Sequence, residues 1–288
     1  MLKCRVVLLF SLLFSLLAEA SSLSVSHIRP YDKTDHRNAY YIDMLKLALF
    51  KTEKSYGSFD LKQIDFEMNQ LRALINLESN KGLDVVWTMT SAEREERLLP
   101  VRIPLLKGLL GYRIFIIRKG TQDIFSNVKS LNDLKELEAG QGLSWPDTTI
   151  LKANKLRVVE ASGYSILFSM LEAGRFDYFP RGVNEPWSEV RAHKDKNLEV
   201  EKTLIIQYPA PIYFFVNKDN HGLAHRLEDG LRMAIEDGSF EKLFRNHPAN
   251  KEIFEFANIE ERLIFRLDNP LLPKLTPLHE KNLWYQVN

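Results

Sequence analysis

The hydrophobic period switches repeatedly along the first third of the chain, and that switching constrains the fold more than any single residue. Residues 22–28 (SLSVSHI) alternate polar and apolar side chains, the two-residue period of a half-buried strand. A polar break from Arg29-Pro30-Tyr31 to Asn38 leads into residues 40–50 (YYIDMLKLALF). Their apolar positions recur at helical spacing, with Asp43 and Lys46 on the other face. Residues 58–66 read again as a strand and 69–77 as a helix, and Lys81-Gly82 turns into the apolar run Val85-Val86-Trp87. Elements alternating in this order bury their apolar faces by laying helices on a largely parallel sheet, so the expected class is α/β.

The stretch from Asp84 to Gly120 adds chemistry to that pattern. Its buried run gives way to Thr88 and Thr90 and then to SAERE, where Ser91 is a helix N-cap. A second apolar run, residues 112–117, ends at Arg118-Lys119-Gly120. Hydroxyls and an arginine at the end of a buried strand suit a small anion, because a guanidinium offers a rigid two-pronged fork to a carboxylate. The same spacing also describes a strand, a capped surface helix and another strand, with Glu93, Glu95 and Glu96 on a solvated face.

A second α/β unit follows. Ser130 and Asp133 have capping-box spacing for a helix over 130–137. Gly140-Gln141-Gly142-Leu143-Ser144 is expected as a glycine-rich turn, and Asp147, after Pro146, as the N-cap of the next helix. Residues 156–159 read as a strand and 164–172 as a helix ended by Gly174. Residues 176–179 read as a strand closed by the loop Pro180-Arg181-Gly182. Tyr208-Pro209-Ala210-Pro211 splits two apolar runs, and its prolines preclude one regular central strand. A helix is predicted over 223–237, stopped by Gly238, and another starts at Phe240. Residues 265–288 carry turn signals at Asn269-Pro270, Pro273, Pro277 and Asn282, the pattern of an extended strap on the surface.

The first residues read as an export leader. Lys3 and Arg5 precede an apolar run from Val6 to Leu17, too short for a span of about 20 residues, and Ala18-Glu19-Ala20 has the small-x-small form of a cleavage site. The sole cysteine, Cys4, falls before the apolar run, so the mature chain is expected to hold no thiol, disulfide or cysteine metal site. An exported protein without disulfides fits the periplasm. The chain has 39 basic and 38 acidic residues, and losing Lys3, Arg5 and Glu19 with the leader leaves them balanced. That balance argues against a nucleic-acid partner. His221 and His225 are spaced i,i+4, but no HExxH accompanies them. There is no G-x-S-x-G elbow, no phosphate-binding loop and no third glycine for a dinucleotide fingerprint at residues 140–145. No cofactor and no metal are expected.

The order of these pieces resembles the type II periplasmic solute-binding proteins of polar-amino-acid ABC transporters (solute-binding protein family 3). The resemblance rests on Tyr40-Tyr41-Ile42-Asp43-Met44-Leu45 after the first strand and on Asp84, Thr90, Arg94 and Pro100. It continues through Leu171, Gly174, Arg175 and Asp177 to Asp237, Gly238, Lys242 and Leu243. It implies a bilobal α/β fold with a two-strand hinge and a ligand cleft between the lobes. The boundaries are a signal peptide at 1–20, lobe 1 at 21–110 and 207–250, lobe 2 at 111–206, and a C-terminal extension at 251–288 packing on the surface. It implies no enzyme, but a monomeric receptor for a small anionic or zwitterionic solute, amino-acid-like or a carboxylate, serving an inner-membrane ABC permease or a membrane sensor. Arg94 matches the arginine that grips the ligand carboxylate, one residue displaced. Arg181-Gly182 stand where the relatives place an aspartate for the ammonium group, which favours a second carboxylate or a phosphate unless Glu185 reaches in. Arg94 and Arg181 would then clamp charge from opposite lobes, and Thr88, Thr90 and Thr148 would orient the solute. Tyr31, Trp87 and Trp145 would form walls, though all three also fit a core, and Arg181 also fits an ion pair with Glu185 or Asp177. The rival is an exported enzyme in the same cleft with Glu185 or Asp147 as general base.

Overall fold

A computed structural model of the chain describes residues 22–29, 36–65, 68, 70–143 and 145–286. The expected leader and Tyr31 lie outside the described residues. In the first lobe, β1 (Leu23–His27), α1 (His36–Lys51), α2 (Glu53–Tyr56) and β2 (Phe59–Gln63) are followed by α3 (Gln70–Glu78) and β3 (Val86–Met89). Then come α4 (Ala92–Arg97) and β4 (Leu98–Val101). β1 and β2 run parallel, and a bridge from His27 to Val85 joins them to β3. The strand between β3 and β4 comes from far along the chain: β11 (Ile212–Asn217) is antiparallel to both and buried at every position. Its run IYFFVN is apolar enough to sit with both faces covered.

The second lobe holds β5 (Tyr112–Arg118), α5 (Gln122–Ser126), α6 (Leu131–Lys135), β6 (Glu138–Gly142), α7 (Pro146–Ala153), β7 (Arg157–Ala161) and α8 (Tyr164–Glu172). It continues with β8 (Tyr178–Gly182), α9 (Pro186–Ala192), β9 (Leu198–Val200) and β10 (Leu204–Gln207). The chain crosses between lobes from β4 to β5 and from β10 to β11. The two passages touch where the Tyr208 amide donates to the Gly111 carbonyl at 3.1 Å. A Cβ at Gly111 would fall 1.9 Å from the Tyr208 carbonyl oxygen, so only glycine lets the hinge strands approach this closely. After β11, α10 (His221–Glu236), α11 (Ser239–Asn246) and α12 (Pro248–Phe256) complete the first lobe. The expected two-lobed α/β fold is present.

Three local expectations are corrected. Residues 140–142 are not a turn but the end of β6, paired in parallel with β7. Gly140 and Gly142 share one face of that strand. Added Cβ atoms would lie 2.1 Å from the Phe176 ring and 2.5 Å from the Trp145 indole, so the glycines admit aromatic packing. Arg181 sits on β8 opposite Ile114 of β5, not in a loop. Asp147 is the second residue of α7, whose N-cap is Trp145. The C-terminal extension does not simply lie on the surface. Ile253, Ala257, Ile259, Phe265, Leu267 and Leu283 are buried, and β12 (Leu263–Arg266) lies parallel to β10 as an edge strand of the second lobe.

Candidate functional site

On the first lobe the site begins with β3 and the turn into α4. Ser91 caps α4 by accepting the Arg94 amide, as the SAERE pattern predicts. The cap holds the Arg94 backbone so that its guanidinium folds back on the strand end. It donates to Thr88 Oγ1 at 2.7 Å, the Met89 carbonyl at 2.6 Å and Gln70 Oε1 at 2.8 Å. All three acceptors are neutral. Loss of water around the group pulls its pKa down to about 10, against the opposing fields of Asp147 and Glu93. Asp147 belongs to the second lobe, so the arginine of one lobe already feels the carboxylate of the other.

The second-lobe wall is a continuous ionic network. Arg113 on β5 pairs with Asp147 at 2.5 Å and approaches Glu185 at 4.0 Å, and its guanidinium lies 5.5 Å from the centre of the Tyr208 ring. The Tyr208 hydroxyl donates to Asp147. Burial first, and then the carboxylate, push that phenol's pKa well above its ordinary value, so it stays protonated and able to donate. Arg181 is held by Glu189 through two bonds of 2.8 and 2.7 Å and by Glu185 at 3.0 Å. Its guanidinium lies over Phe179, Trp145 and Tyr164. Burial works against its charge, but Glu185 and Glu189 outweigh burial and raise its pKa. Glu185 also accepts the Gly182 amide at 2.6 Å. The Arg113 Nε, Gln141 Oε1 and Asn184 Oδ1 atoms are buried with no hydrogen-bond partner among the described residues. Groups in that state call for a water or a ligand.

The expected clamp of two arginines is therefore corrected: Arg181 is neutralised within its own lobe. Among the described residues, the ion pairs of that wall join two guanidinium groups, Arg113 and Arg181, to three carboxylates, Asp147, Glu185 and Glu189. Trp87 packs in the first-lobe core, stacked 5.8 Å from Tyr41 with its indole N–H on Asn38. Thr90 donates to Glu95, and Thr148 to the Gly142 carbonyl, so both hydroxyls serve the fold. Trp145 stacks on Phe179, below Arg181. Arg113, Tyr208 and Glu189 were absent from the sequence expectation. One signal was legible: Arg113 is a charge inside the apolar run YRIFIIR. Among the described residues, no cluster of side chains suits a metal. An open hollow of about 540 Å³ between α1, α11 and α12 is lined by none of these residues.

No protein-family model matches the chain, and no curated protein matches it. Solved structures do. An ancestral arginine-binding protein bound to arginine is 20% identical, over 79% of this chain and 98% of that one, with a TM-score of 0.55. A probable amino-acid ABC transporter extracellular-binding protein from Bacillus subtilis is 15% identical, over 80% and 98%, with a TM-score of 0.58. An amino acid ABC transporter substrate-binding protein from Streptococcus pneumoniae, bound to L-arginine, is 16% identical, over 80% and 94%, at 0.56. At such identities the likeness is one of fold: the bilobal fold of ABC-transporter binding proteins.

Proposed function

We propose that the chain is an exported solute-binding protein that captures a small zwitterion, amino-acid-like in charge, between its lobes and delivers it to a membrane permease or sensor. The observation that carries this reading is Arg94, bonded to neutral oxygens only, facing the field of Asp147 from the carboxylate-rich wall of the other lobe. A carboxylate group matches the first side through a charge-assisted fork, and a cationic group matches Asp147 and Glu185 on the second. A dicarboxylate or phosphate would meet like charge there. Binding is selected by contacts with both lobes and so draws them together. The leader-like first residues and the fold's extracellular relatives support export; among the described residues no helix is long and apolar enough to cross a membrane.

Thermal-shift screening of L-amino acids, short peptides and dicarboxylates tests the reading. Zwitterions should raise the melting temperature of the unmodified protein, and Arg94→Gln should abolish the rise. A binder lost with Arg94 forfeits roughly 2–5 kcal/mol, at least a tenfold fall in affinity. Equal stabilisation by dicarboxylates, or an unchanged response in Arg94→Gln, would remove the proposal. Recovering the bound compound chemically altered would favour an enzyme acting through Asp147 or Glu185.

A further inference from the structure

We infer that the segment following α12 is a strap that fastens the two lobes to each other across the hinge and limits how far they part. α12 itself packs in the first-lobe core through Ile253 and faces the second lobe with its other side. Phe256 meets Trp187 of α9 with ring centroids 6.0 Å apart, and Glu252 pairs with Arg191. The chain then enters the second lobe. Buried Arg262 donates to the carbonyls of Ala257 at 2.6 Å and Glu201 at 2.8 Å. β12 continues along β10 until the Leu267 amide donates to Gln207 at 2.8 Å, and the Asp268 backbone exchanges bonds of 2.8 and 3.1 Å with the Asn154 side chain.

The return runs over the hinge. Asn269 Nδ2 donates to the carbonyl of Pro209, in the β10–β11 passage, at 2.7 Å. Two residues later the Leu271 carbonyl accepts the amide of Ala92, the first residue of α4, at 3.0 Å. α4 is the helix that carries Arg94. The Trp284 ring then lies against Gly108, and the Tyr285 amide donates to Lys107 at 2.7 Å.

A two-lobed protein opens by dihedral changes at a few hinge residues. Here the boundary has two further passages beyond the hinge strands, after Ala257 and after Asn269, each anchored at both ends by main-chain or buried polar bonds. Wide parting of the lobes therefore pulls first on the Ala92–Leu271 bond or on the β12–β10 pairing, with the Trp284 seat as the next anchor along the strap. The mechanical claim stands on these contacts alone. Its consequence for the site, that solute enters a largely pre-closed cleft slowly, rests on the proposed function.

Spin labels at Lys129→Cys on the second lobe and Glu236→Cys on the first, both exposed, in a Cys4→Ser background, read the aperture without any solute. Double electron–electron resonance on the full chain should give one narrow distance distribution. Adding Asn269→Ala and Trp284→Ala should broaden it and shift it to longer distances, and superimposable distributions would overturn the strap. If that variant does not fold, hydrogen exchange on the unmodified chain decides. The Ala92, Leu267 and Tyr285 amides should exchange about as slowly as the hinge amide of Tyr208, and exchange roughly tenfold faster or more would overturn the strap. A solute screen that finds no binder while the labels respond as expected removes the receptor reading and leaves the strap.

Discussion

Arg94 and Arg181 are the same residue in opposite electrostatic settings, and the difference decides what each can do. Arg181 is paired on both sides by Glu185 and Glu189 inside an aromatic nest, so removing it takes from two acids the buried guanidinium they share. Breaking a buried pair by removing one partner costs about 3–5 kcal/mol. Arg181→Met should lower the urea-denaturation stability by that amount with no solute present, whereas Arg94→Gln, which strands no acid, should change it far less. Equal losses would contradict the division of roles drawn here. Arg94 was legible in the sequence because its cap, threonines and helix start are all local. Tyr208 and Glu189 were not, and Arg113 showed only as a charge inside an apolar run, because the role of each is defined by a carboxylate or guanidinium that only folding brings near.

Local signals placed the elements well wherever the cause was local. The Ser130–Asp133 capping box and the Ser91 cap form as the spacing predicts. β6 was misread because its glycines answer to rings from other elements, and β8 because its neighbour β5 extends the pairing through Arg181. At the junction of α10 and α11, Asp237 pairs with Lys51 and accepts the Ser239 amide at 2.9 Å and hydroxyl at 2.6 Å. These partners, Lys51 first, lower its pKa from 3.8 to about 2. A carboxyl with a depressed folded pKa stabilises the fold fully above its unfolded value and loses that contribution as pH falls through the folded one. Thermal melts of the unmodified protein and Asp237→Asn should therefore differ above pH 3.8 and converge towards pH 2. A constant difference across that window would rule out the ion pair as its source.

At the scale of the whole molecule, the lobes are not independent bodies joined by a hinge alone. One buried cluster includes Leu105, Leu106 and Ala257 together with Ile114, Val183 and Ile205 of the second lobe. Apolar burial shared in this way couples the two units, and the expected outcome is that they unfold together. Scanning calorimetry should show a single transition whose calorimetric and van't Hoff enthalpies agree; two resolved transitions would separate the lobes energetically. The same continuity explains why the C-terminal extension reads as a surface strap in sequence yet is partly core in structure. Its turn signals were visible, but its partners, β10, Pro209, Ala92 and Lys107, lie far away along the chain.

By itself the sequence determined the α/β class, the helix caps, the break at Tyr208–Pro211 and the placing of Arg94 at the end of a buried strand. Periodicity, capping and proline geometry act over a few residues, so they can be read without coordinates. Tertiary structure alone decided that Arg181 is neutralised, that Arg113 and Tyr208 hold Asp147, and that the extension binds both lobes. Charge and burial at those positions are set by residues distant in sequence, and their balance exists only once the chain has packed.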